Sequence, residues 1–180
     1  MRIVFAVVFV AGVAAGCASQ QPVQQASTAP TPKPYGSLAQ VMQGIPFPAS
    51  NLIFDTQSND PAAKPADSSG SSGSGGATAA FSGVYGGWTA VENAALAIQE
   101  TANLIMIPGR LCRNGRPVPL DRDDFKKFAQ GLADAGQAAL KAAQSKNLDA
   151  MVEVSGTMSD ACAACHEKYR DTPNEKDRCM

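Results

Sequence analysis

Three residues near the carboxyl end of the chain have the types and spacing for covalent chemistry. Cys162, Cys165 and His166 lie in the run Cys-Ala-Ala-Cys-His. On a helix these positions fall at i, i+3 and i+4, so the three side chains share one face. The pattern is the attachment signature of c-type haem, in which the thiols add to the porphyrin vinyl groups and the imidazole binds the iron. It predicts one covalently attached haem c, with His166 as the proximal iron ligand.

Other uses of paired cysteines fit the sequence less well. A structural zinc site needs four ligands, and no second pair of suitable spacing is present. A thioredoxin-like redox pair needs a strand–helix–strand context, and the sequence does not offer one. His166 is the only histidine, so no second histidine can bind the iron. No nucleophile–base pair or carboxylate dyad stands out, which predicts an electron-transfer protein and not an enzyme.

The first 16 residues are predicted to be a signal peptide. Arg2 supplies a positive charge, and residues 3–13 form an apolar run too short to span a bilayer comfortably. Residues 14–17, Ala-Ala-Gly-Cys, resemble a bacterial lipobox, in which the cysteine is lipidated and becomes the mature N-terminus. The alternative is an ordinary cleaved signal with an incidental cysteine. Because Ala18 follows Cys17, the lipobox predicts a periplasmic lipoprotein anchored to the outer membrane.

Composition and low-complexity stretches set the expected domain boundaries. The net charge is −1, so no bulk field points to nucleic acid as a partner. Residues 17–35 are rich in Gln, Pro, Ala, Ser and Thr, which predicts a flexible tether. Residues 59–80 predict a Ser/Gly-rich loop inside the domain. The folded domain would then be 36–172, and 173–180 a C-terminal tail.

Two cysteines remain after the motif and the lipobox are assigned. Cys112 and Cys179 form an even pair in an oxidising compartment, where disulfides persist. We therefore predict a disulfide between them. Two unpaired thiols are the alternative.

Four segments of apolar periodicity predict an all-α fold. In each, apolar residues recur at helical spacing, and no strand-like alternation competes. Pro46 and Pro48 should break the first helix, and Asp121 should cap the third. Four helices, most with short connections, predict an antiparallel four-helix bundle. The segments are 38–57, with Leu52, Ile53 and Phe54 inward; 84–105; 121–144; and 148–169, with Met151, Val152, Met158 and Cys162 inward.

The place of the motif on the last helix makes a resemblance specific. The run from Cys162 to Arg170 reads Cys-Ala-Ala-Cys-His-Glu-Lys-Tyr-Arg and ends ten residues before the carboxyl end. Residues 36–170 resemble the class II c-type cytochromes, meaning cytochrome c-prime and its low-spin relatives. The resemblance implies a bundle with haem on its C-terminal helix, redox proteins of the periplasm or membrane as partners, and a possible homodimer.

The family divides on the sixth position of the iron. Cytochrome c-prime leaves it open beside an apolar side chain and can bind NO or CO, whereas the low-spin relatives use a methionine of the first helix. The matching methionine here is Met42, which could otherwise be a plain core residue. A thioether opposite histidine raises the reduction potential and favours electron transfer. Met106 and Met158 are weaker candidates.

The resemblance also suggests roles around the haem. A basic residue near Arg170 lies by the haem in the family, although Arg170 could simply stabilise the helix end. Tyr169 should pack on the haem edge or the bundle end. Trp88 and Phe54 are candidates for pocket wall or core. Three arginines after the second helix could pair with haem propionates or a partner protein, with a solvated loop as the simpler expectation: Arg110, Arg113 and Arg116.

Overall fold

A computed structural model of the chain describes residues 31–63 and 86–179. The predicted signal peptide, the predicted lipidation site Cys17, most of the predicted tether and most of the predicted Ser/Gly-rich loop lie outside these residues. Within them, no helix combines the length and apolar character needed to cross a bilayer.

The described residues form five α-helices and one short 3-10 helix. They contain no β-strand, only an isolated bridge between Leu111 and Pro117. The all-α prediction is therefore confirmed. The helices are α1 (Leu38–Gly44), α2 (Pro46–Asp55), α3 (Gly87–Ile105), α4 (Asp123–Gln144) and α5 (Leu148–Tyr169), followed by the 3-10 helix Glu175–Asp177.

The expected break in the first helix separates α1 from α2. Ser37 and Gln40 form a capping box at the start of α1, each side chain accepting a backbone N–H of the other. Pro46 is the first residue of α2, where its missing N–H costs no hydrogen bond. Pro48 falls in the same first turn and causes no second break. The two prolines therefore produce one break and not two.

The predicted cap of α4 is wrong. The helix begins at Asp123, and Arg122 occupies the cap position, where its side chain accepts no hydrogen bond from the backbone N–H groups of the first turn. Asp121 instead belongs to the preceding turn, in which the Arg122 N–H donates to the Pro119 carbonyl. Asp123 and Asp124 still lie in the first turn, where negative charge favours the helix dipole.

One glycine sets how closely α3 and α4 approach. A Cβ built at Gly136 would lie 2.7 Å from the backbone nitrogen of Gln99. Any larger residue at this position would push the two helices apart. The close contact places α3 and α4 at the centre of the core, with α2 and α5 packed beside them.

Two apolar residues predicted to face inward are exposed. Val152 is 47% exposed and Leu52 is 46% exposed. The buried stripe of α5 instead continues from Met151 through Ser155, because residues four apart share a face and residues one apart do not. On α2, Ile53 is fully buried as predicted, and Phe54 is partly buried.

The segment between α3 and α4 and the segment after α5 are joined to each other. Cys112 and Cys179 form a disulfide with a Cα–Cα distance of 4.6 Å. The Arg113 N–H also donates to the Cys179 carbonyl, and the Asn114 amide donates to the Arg178 carbonyl. Cys179 is buried, so the disulfide predicted from the sequence holds the predicted C-terminal tail against the domain. We call residues 108–119 and 171–179 the linked arms.

Candidate cofactor-binding site

All five residues predicted for the site line one cavity. Its volume is about 600 Å³, which suits a small-molecule or cofactor site. Helices α1 to α5, with Ile105 from α3, and the linked arms contribute to its walls. The predicted residues on it are Cys162, Cys165, His166, Met42 and Arg170.

The last turns of α5 present the three motif residues to this cavity. Cys162 and Cys165 are half-buried, and within the described residues they are the free cysteines. Burial raises the pKa of Cys162, and burial together with the neighbouring Cys162 raises the pKa of Cys165 to about 11. Burial also lowers the pKa of His166. At neutral pH the site therefore holds two protonated thiols and a neutral imidazole, whose free nitrogen can bind a metal.

The walls of the cavity are largely apolar. Phe54 of α2 and Phe125, Phe128 and Leu132 of α4 line it. Within the described residues, no three His, Cys, Asp or Glu side chains are grouped to hold a bare metal ion. A pair of thiols, one imidazole and an apolar cavity together fit a haem attached through thioethers.

Of the three methionines considered for the sixth position, Met42 lies on the cavity. Its side chain is partly buried against Leu38 and its neighbours. Met158 is fully buried in the core between the helices. Met106 packs against a separate group of buried residues that includes Leu38, and it does not line the cavity.

Arg170 is placed at the end of α5 and also lines the cavity. Its guanidinium donates to both carboxylate oxygens of Asp171, at 2.8 and 2.7 Å. Its N–H donates to the His166 carbonyl, one turn earlier in the chain. Both expected roles, at the helix end and beside the cofactor, are compatible with this position.

Tyr169 fixes the end of α5 to the start of α4. Its hydroxyl donates to the Asp124 carboxylate at 2.6 Å and accepts from Arg122 Nε at 3.0 Å. Its ring packs edge-on against Phe125 and Phe128, two residues of the cavity wall. Tyr169 therefore packs at the bundle end and positions the motif-bearing helix from behind.

Tyr169→Phe tests this connection. The phenyl ring keeps the aromatic contacts, so the variant should lose about 1 kcal/mol of unfolding free energy for the hydrogen bonds. Burial, and next the hydrogen bond to Asp124, raise the pKa of Tyr169 from 10.0 to about 12. The unfolded state therefore releases the hydroxyl proton at a lower pH than the folded state does. The stabilisation that this hydroxyl contributes is complete below pH 10 and is lost as pH rises toward 12.

Urea unfolding across this pH interval measures the difference. Tyr35→Phe is the matched control, because Tyr35 is 92% exposed. We expect the wild type and the control to lose stability more steeply with pH than Tyr169→Phe. Parallel curves for all three proteins would contradict the role given to the hydroxyl.

The three arginines between α3 and α4 have separate roles. Arg110 is buried, and its guanidinium donates to the carbonyls of Leu104 and Gly36, so the solvated-loop expectation is wrong for it. Arg116 pairs with Asp177 in the other linked arm. Of the three, Arg113 lines the cavity.

Other wall residues were assigned only in part by the sequence. Phe54 lines the cavity, whereas Trp88 is buried in the core. Phe125 and Phe128 lie in the third predicted helix, and their position beside the motif depends on how α4 meets α5. Arg178 was not predicted, since its place at the cavity depends on how the disulfide and the hydrogen bonds between the linked arms fold the segment. Its position next to Cys179 was the available signal.

The carboxyl-terminal part of this structure matches one known family. The family model for Cytochrome C' matches residues 118–170, which include α4, α5 and the whole motif. The match supports a class II c-type cytochrome, a haem protein whose family implies haem c as the cofactor. Comparison with curated proteins and with solved structures gave no match.

Proposed function

We propose that this chain is a periplasmic c-type cytochrome that carries electrons through one covalently bound haem. The observation that carries the proposal is the Cys-x-x-Cys-His motif on one helix face, beside a mostly apolar cavity. Cys162 and Cys165 would hold the porphyrin, and His166 would bind the iron. When bound, the haem supplies a one-electron couple between Fe(III) and Fe(II).

The chain's own residues prepare the site for that couple. Burial keeps the His166 imidazole neutral and able to act as a ligand. The phenylalanines of α2 and α4 exclude water and lower the local dielectric, which tunes the reduction potential. Met42 is proposed as the second axial ligand, and its thioether would raise the potential further.

The remaining parts of the proposal concern where the protein acts. The signal peptide and lipobox favour export and an outer-membrane anchor through Cys17. Redox proteins of the periplasm or membrane are the proposed partners, and electron transfer without bond-making chemistry makes the protein a carrier. For the fold, we propose an antiparallel bundle of four helices, in which α1 and α2 together form one broken helix.

A second function is favoured by the aromatic cavity wall. Phe54, Phe125 and Phe128 line the cavity together with Met42. If an apolar ring and not the thioether lies over the iron, the sixth position would be open. The protein would then bind NO or CO, as five-coordinate relatives can.

Met42→Ala distinguishes the two functions. For the carrier, absorption spectra of the wild type should be low-spin in both oxidation states, with the weak methionine–iron band in the ferric form. Met42→Ala should lose that band, become high-spin and bind CO rapidly. Met106→Ala is the control, and its spectrum should match the wild type. A high-spin wild type that is unchanged by Met42→Ala would instead establish the gas-binding function.

A further inference from the structure

Charge is distributed unevenly around the cavity. In the part of the chain that the structure describes, the lining residues of α1 to α4 carry no formal charge. The charged groups are Arg170 and Asp171 at the end of α5, and Arg113 and Arg178 of the linked arms, with His166 as the remaining titratable base. Arg170 and Asp171 neutralise each other through two hydrogen bonds. Two arginines therefore leave this end of the cavity positive.

These two arginines are placed by the disulfide. Arg113 directly follows Cys112, and Arg178 directly precedes Cys179. Two further hydrogen bonds join the same stretches: one from the Arg113 N–H to the Cys179 carbonyl at 3.2 Å, one from the Asn114 amide to the Arg178 carbonyl at 2.6 Å. The cross-link therefore brings two residues that are distant in sequence to one cavity wall.

The existing partners of these guanidiniums leave donors available. Arg178 uses Nε on the Thr172 carbonyl at 2.9 Å and Nη1 on Glu175 at 3.4 Å. Glu175 is 84% exposed, so this ion pair is weak. Arg113 is exposed at the cavity rim, and its backbone, not its guanidinium, makes the contact with Cys179.

We propose that Arg113 and Arg178 form a clamp for the propionate carboxylates of the haem. A haem combines a large apolar ring with two carboxylates, and this cavity combines apolar walls with two guanidiniums. The planar fork of arginine matches a carboxylate better than a lysine does. The inference rests on the proposed haem and adds the residues that recognise its anionic groups.

The midpoint potential of the haem-loaded protein, followed against pH, tests the clamp. Arg113→Gln and Arg178→Gln each remove a cation near the iron, so the oxidised-to-reduced ratio at a fixed ambient potential should rise roughly two- to tenfold. The pH at which the potential begins to fall should also move upward, because the clamp favours ionised carboxylates. Arg113→Lys keeps the positive charge, so its midpoint potential should lie closer to that of the wild type than to that of Arg113→Gln.

Lys168→Gln is the matched control. This variant removes one positive charge from the helix that carries the motif. Lys168 lines a separate depression beside Tyr169 and does not line this cavity. Its effect should be less than about twofold, because Lys168 does not line the cavity and solvent screens its charge from the iron. Arginine variants that behave like Lys168→Gln would overturn the clamp while leaving the haem proposal intact. A wild type without covalent haem would overturn the proposed function itself.

Discussion

Cys162→Ala/Cys165→Ala is expected to abolish covalent haem attachment completely. Each thioether needs a cysteine sulfur, and the other described cysteines, Cys112 and Cys179, are joined to each other. His166 would remain, but a single imidazole holds haem only reversibly. Acid–acetone extraction followed by an absorption spectrum measures the result. The wild type should keep its haem in the protein pellet, and the variant should retain none.

Ala164→Ser is the matched control for this experiment. Ala164 lies between the two cysteines and is exposed, so a hydroxyl there meets water and leaves both sulfurs in place. The control should retain as much haem as the wild type. Haem that resists extraction from the double variant would show that attachment occurs elsewhere. A colourless wild type produced with its haem-attachment machinery would contradict the proposed function.

Regular helices were the part of the fold that local sequence determined best. The predicted limits of the last helix, 148 and 169, agree with α5, because Asn147 caps its start and the apolar spacing continues to its end. The short connection between the third and fourth segments, 145–147, also agrees with the end of α4 and the start of α5. Such features depend on residues within one or two turns of each other.

Features that depend on contacts between distant segments were harder to predict. Val152 is apolar like Met151 beside it, and the packing of α5 against its neighbours decides that Met151 is buried and Val152 exposed. Arg110 has a loop-like sequence context, yet it donates to the carbonyls of Leu104 and Gly36. The segment at 173–179 is polar and reads as a tail, although the disulfide holds it against the domain.

The candidate site shows the same division. Cys162, Cys165 and His166 follow from spacing on one helix. Met42 required the resemblance to suggest it, since a methionine in an apolar stripe is usually core. Arg178 required the three-dimensional structure, because its place at the cavity depends on the Cys112–Cys179 bond and on hydrogen bonds between the linked arms.

Cys112→Ala/Cys179→Ala is expected to lower the free energy of unfolding by about 2–4 kcal/mol. The bond joins residues 67 positions apart, so its loss gives the unfolded chain much conformational freedom. Both sulfurs are buried, and alanine avoids placing a hydroxyl among the apolar neighbours. Urea unfolding measures the change. Haem attachment should survive, because the motif cysteines are untouched.

The wild type treated with a thiol reductant supplies the control for this loss. Ascorbate in every sample keeps any bound haem reduced, so treated and untreated wild type differ only in the disulfide. The treated wild type should approach the stability of the alanine variant, and the variant itself should not respond. A variant within about 0.5 kcal/mol of the untreated wild type would show that the hydrogen bonds alone hold the arms together. In that case the arginines beside the two cysteines would stay at the cavity without the covalent bond.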